Sequence, residues 1–217
     1  MDFQETIYLL PGILLGLTVH EFCHAYSAFK LGDSTARDQG RLTLNPIVHI
    51  DLIGFVFIIF AGFGWAKPVQ FNPENLSNYR RDKAIIAAAG PLSNLILGVL
   101  LTLSLRALIV YHIENDMNMS NSFGHLYYVL FYAASINFGL FIFNLLPIPP
   151  LDGSHIAFSG LDLSPQIEER IRTFGMPVLF LIILIQRFAD INIIPIGDMI
   201  IAMIRFIMNF GGMEIIP

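Results

Sequence analysis

Two long stretches of the chain carry no acidic, basic or histidine side chain: Ala84–Leu105, with 22 residues, and Leu126–Leu151, with 26. About 20 apolar residues suffice to cross the hydrocarbon core of a bilayer as a helix, so each stretch predicts a membrane span. Thr6–Phe29 reads as a third, with Glu21 as its one acid. An acid at membrane depth is costly unless it faces a cavity or a partner. Composition agrees: 55% of the 217 residues are hydrophobic, 13% are charged, and mean hydropathy is +0.65. These values exclude a water-soluble enzyme. A net charge of −5 leaves no broad cationic face, which excludes a nucleic-acid partner. The single cysteine, Cys23, excludes an internal disulfide.

The shorter apolar segments add detail. Leu52–Ala66 has 15 uncharged residues, too few to cross comfortably. It is preceded by Lys30, Arg37 and Arg41 and followed by Lys67, Arg80, Arg81 and Lys83. Basic loops stay cytoplasmic, so both ends face the cytoplasm and the segment is re-entrant. The same rule puts the N-terminus and the 112–125 loop outside, and Arg170 and Arg172 inside. In Gly64–Asn72, Trp65, Lys67, Val69 and Phe71 alternate with the rest and Pro68 blocks inner pairing, which predicts an edge strand. Weaker helices are expected within 173–210. The fold class is therefore an all-α polytopic membrane protein. It is a single unit over 1–217, with a three-helix catalytic core at about 6–160 and one or two further helices.

His20-Glu21-Phe22-Cys23-His24 is the sharpest local pattern. On a helix, i and i+4 share a face, so both imidazoles can reach one metal ion, and the adjacent Glu21 is placed to take a proton from metal-bound water. A catalytic zinc needs a third protein ligand and an open position. Asp152 is the best candidate: it closes the 26-residue run just after Pro147, Pro149 and Pro150, which break the helix and free backbone groups that need a cavity or partners. His155 and His49 compete for that role. The bland readings are a structural polar cluster between helices, an ordinary interfacial acid at Asp152, and a packed small residue at Cys23.

His20–His24, Gly90-Pro-Leu-Ser-Asn94 and Asn144-Leu-Leu-Pro-Ile-Pro-Pro-Leu-Asp152-Gly153 together resemble the site-2 protease family of intramembrane zinc metalloproteases. The loop motifs Gly40-Arg-Leu-Thr-Leu-Asn-Pro46, His49-Ile-Asp51 and Gly64-Trp-Ala-Lys-Pro68 resemble those of its short members without a regulatory domain. The resemblance implies one zinc held by His20, His24 and Asp152, with Glu21 as general base and then acid. It implies that Asn144 helps hold the substrate or its oxyanion, that Asn94 lines the same cleft, and that the 52–72 region forms a membrane-associated β-hairpin. Membrane-spanning protein segments would be the substrates, cut in the membrane of a bacterial or archaeal cell from a site open to the cytoplasm. A homo-oligomer is compatible with the sequence but not specified by it. The alternative is a membrane metal transporter or sensor built on the same His, His and Asp.

Overall fold

Small and polar residues share the inner faces of the spans with large apolar ones. The computed structural model describes residues 3–61, 64–115, 121–161, 163–188 and 192–210. The first helix, α1, is Phe3–Lys30; a short α2 (Thr35–Asp38) and α3 (Leu52–Ala61) follow, then α4 (Tyr79–Glu114) and α5 (Asn121–Asn144). In α4 the buried face runs through Gly90, Asn94, Gly98 and Thr102, while Ile85, Leu92, Ile96, Leu100 and Leu103 point outward. Lipid tails are as apolar as leucine, so burying leucine between spans gains little; small residues let the backbones approach, and polar groups bond across. A Cβ on Gly98 would lie 2.6 Å from the Phe138 ring, so the absent side chain is what admits that fully buried ring.

Among the described residues, helices α1, α4 and α5 are the three long and apolar enough to cross a membrane, and they pack mutually as the core. The later helices are α6 (Asp152–Gly160), α7 (Pro165–Phe188) and α8 (Ile196–Met208). Helix α8 seats Ile204 and Met208 against Leu105 of α4 and Phe138 of α5. Helix α6 lies on α4. The start of α7 is tied down by Glu168, which accepts from Arg172 and pairs with the buried Lys83 of α4 at 3.5 Å.

The 26-residue run does not stay helical to its end. Helix α5 stops at Asn144, turns carry the three prolines, and Asp152 opens α6 instead of closing α5. Its carboxylate thus sits in the first turn, where backbone N–H groups favour negative charge.

The 52–72 region departs from the expected hairpin. Leu52–Ala61 is a helix, started where Asp51 accepts from the Gly54 N–H at 2.8 Å. Residues 64–72 are extended but pair only through one antiparallel bridge, Ile50 with Ala66, and no strand occurs among the described residues. The physical reason is where the donors go. Pro68 has none, the Val69 N–H goes to the Glu21 carboxylate at 2.9 Å, and the Asn72 N–H goes to Asp33 at 2.8 Å. Gly62 and Phe63, in the middle of that region, lie outside the described residues.

Candidate metal centre

Helix α1 places His20 and His24 one turn apart, and α6 brings Asp152 to them. The two Nε2 atoms are 3.0 Å apart, and Asp152 Oδ2 is 3.2 Å from His20 Nε2 and 3.4 Å from His24 Nε2. A tetrahedral ion with bonds of about 2.0–2.1 Å separates its ligand atoms by roughly 3.4 Å, so this triangle has the right size for one face of a zinc site. Both histidines are buried and Asp152 nearly so.

The far side of each ring fixes which nitrogen points inward. His20 Nδ1 meets Asn94 Oδ1 at 2.6 Å, and His24 Nδ1 meets the Ile86 carbonyl at 2.7 Å. Both partners are acceptors, so each neutral ring carries its proton on Nδ1 and turns the Nε2 lone pair inward. Two lone pairs and a carboxylate crowded within 3.4 Å repel one another unless a cation sits among them. The donor set therefore fits a zinc ion.

Space for the rings comes from Gly90 of α4. A Cβ there would lie 2.4 Å from His24 Nε2 and 2.7 Å from His20 Nε2. Pro91, fully buried, interrupts the helical ladder beside the turn whose Ile86 carbonyl orients His24. Asn94 is fully buried too. Its amide nitrogen donates to the Gly16 carbonyl at 3.0 Å and to Asn137 Oδ1 at 2.9 Å, so both ends of the amide are committed.

Glu21 is buried, with one oxygen held by the Val69 N–H. Asn144, half-buried at the end of α5, donates to the Leu140 carbonyl at 3.0 Å. His49 lies in the loop and His155 one turn along α6, and neither belongs to the three-residue group whose ligand atoms converge. Cys23 is partly buried and outside that group. Next to the site lies an apolar cavity of about 560 Å³, walled by α1, α3, α5, α7 and α8. Leu17 and Leu140, one helical turn from Glu21 and Asn144, line its near end.

Sequence reading singled out His20, His24, Asp152 and Asn94; it took Gly90 only as part of a motif, without a role, and passed over Asn137. Glycine and asparagine are ordinary at packed membrane interfaces, and nothing local in the chain marks the role of either.

The family model described as Peptidase family M50 matches residues 107–186. A Bacillus subtilis protein named "Putative zinc metalloprotease YwhC" is 42% identical over 149 residues, covering 69% of this chain and 67% of that protein. The Mycolicibacterium smegmatis protein Rip2, named in the same terms, is 30% identical over 68% of this chain and 54% of its own length. Zinc metalloprotease RasP of Shouchella clausii is 33% identical over 30% of this chain and 17% of its own. The chain thus spans about two thirds of the first of these relatives and about half of the second. No solved structure gives a significant match.

Proposed function

The chain belongs to the site-2 protease family of zinc metalloproteases, peptidase family M50, and from that premise we propose that it is an intramembrane endopeptidase whose general base is Glu21. The observation that carries the reading is the convergence of His20, His24 and Asp152 beside Glu21, buried between spans where uncompensated polar groups are not tolerated. When bound there, zinc supplies a Lewis acid that polarises a carbonyl and brings the pKa of water toward neutrality. Glu21 takes the proton from the attacking water and passes it to the leaving amine. Asn94 holds His20 in the ligating tautomer, and Asn144 steadies the substrate by giving up its bond to the Leu140 carbonyl.

The apolar cavity suits a substrate segment drawn from the bilayer. Such a segment must unwind before its backbone can be attacked, because a helix hides its carbonyls in its own hydrogen bonds. Nine of the twelve basic residues lie in segments read as cytoplasmic, and the loops around the metal end hold most of them. The site therefore opens toward the cytoplasm, from which the water comes. Metal analysis combined with cleavage of single-span substrates tests the reading. About one zinc per chain is expected in wild type and in Glu21→Gln, with cleavage by wild type alone. Proteolysis by Glu21→Gln would refute the assigned base, and metal uptake into vesicles without any cleavage would favour the transporter.

A further inference from the structure

The extended segment at 64–72 crosses Glu21 and is pinned on both sides of the crossing. On one side the buried Arg41 donates from Nη2 to the Lys67 carbonyl, and the Lys67 N–H donates to the His49 carbonyl at 2.9 Å. On the other side Asp33, fully buried, accepts from the Asn72 N–H and from Asn75 Nδ2 at 2.7 Å. Between the pins, the Val69 N–H reaches Glu21 Oε2 at 2.9 Å.

His49 is itself fully buried and locked. Its Nε2 donates to the Thr43 carbonyl at 2.7 Å, which leaves Nδ1 to accept from Arg41 at 3.5 Å. Burial pushes this imidazole down and keeps it neutral, as that pairing needs. The loop motif Gly40-Arg-Leu-Thr-Leu-Asn-Pro46 with His49 thus closes a circuit that ends on the backbone carrying Val69. A buried guanidinium is expensive unless its donors are used. This one spends Nη2 on a carbonyl two residues from the Glu21 contact, while its Nε finds no partner among the described residues, and it lies near enough to Glu21 for the charges to attract.

We propose that Arg41 and His49 are positioning residues for Glu21: they clamp residues 67–69 so that the Val69 N–H holds one carboxylate oxygen and leaves the other free for water. The inference rests on Glu21 being the general base. Partners that orient a catalytic group through a second contact typically contribute about 10–100-fold. Removing them should lower kcat and leave substrate binding alone.

The test compares wild type with Arg41→Met, Arg41→Lys, His49→Leu and His49→Gln, reading zinc content, kcat, KM and amide hydrogen exchange over 67–71. In Arg41→Met and His49→Leu, kcat should fall about 10–100-fold with zinc retained and KM within about twofold. His49→Gln, which keeps a donor and an acceptor, should recover part of the loss, as should Arg41→Lys, which keeps a donor. Exchange at 67–71 should quicken about tenfold in the two disruptive variants while the spans stay protected. Wild-type kcat in both disruptive variants, or a loss confined to KM, would overturn the proposal. Should either disruptive variant fail to fold, its conservative partner decides by exchange, and unchanged exchange with unchanged kcat there overturns it. Cleavage by Glu21→Gln would instead refute the underlying reading, which the exchange measurement does not depend on.

Discussion

Asn94 on α4 accepts the Nδ1 proton of His20 on α1 at 2.6 Å, and through its amide nitrogen it also reaches Asn137 on α5 at 2.9 Å. One side chain therefore ties a candidate metal ligand to all three spans of the core. Without it, His20 can turn or adopt the other tautomer, and Nε2 no longer presents a lone pair. Asn94→Leu should weaken zinc binding about 10–100-fold, measured by competition with a chelator of known affinity. Wild-type affinity in that variant would show that packing alone orients His20.

Gly90 sets a conflict between local and tertiary demands. Replacing a mid-helix glycine by alanine favours the helix by about 1 kcal/mol. Here the new methyl would sit 2.4 Å from His24 Nε2 and 2.7 Å from His20 Nε2, and neither ring can back away without leaving its Nδ1 partner. Gly90→Ala should therefore lose zinc and activity, and the metal-free protein should unfold at a lower temperature than wild type, because the overpacking outweighs the helix gain. A variant that keeps zinc at wild-type affinity would show that the rings have room after all.

The spans and the candidate metal-binding histidines were legible because their signals are local. An uncharged run of 22 residues, or two histidines four apart with Glu21 between them, declares itself in one segment of chain. Asp152 stood out for a different reason, as an acid that ends an apolar run beside helix-breaking prolines. The misreading at 64–72 arose because alternation is a signal for extended backbone, and extended it is, but not for where the donors go. Those of Val69 and Asn72 are taken by Glu21 and Asp33, 48 and 39 residues away along the chain. Resemblance suggested Asn94 as a cleft residue, whereas its bond to His20 joins residues 74 apart and leaves no local trace.

His155 gives the fold a defined acid sensitivity. Burial, with Lys83 of α4 and Arg172 of α7 close by, pushes its imidazole from 6.5 down to about 4; Asp152 and Glu168 pull weakly the other way. The unfolded chain therefore binds this proton first as pH falls from 6.5 toward 4, and stability is lost across that window. Below about 4 both states carry the proton and the loss stops. His155→Gln should flatten the fall in unfolding temperature between pH 7 and pH 5. An equal fall in the variant would assign the sensitivity to other groups.

The cavity can be filled without disturbing the metal. Gly139 of α5 lines it, and a Cβ there would meet only Ile200 Cδ1, at an ordinary 3.4 Å. Gly139→Ala should thus be tolerated, with the helix favoured by about 1 kcal/mol. Gly139→Leu adds a branched side chain against the roughly 560 Å³ that the cavity offers, so it competes with whatever apolar segment enters. The leucine variant should bind zinc as wild type does and cleave single-span substrates with a raised KM or not at all. Because His20, His24 and Asp152 lie outside the cavity lining, loss of cleavage with zinc retained would place the substrate in this cavity. Full activity in Gly139→Leu would mean that the substrate reaches Glu21 by another route.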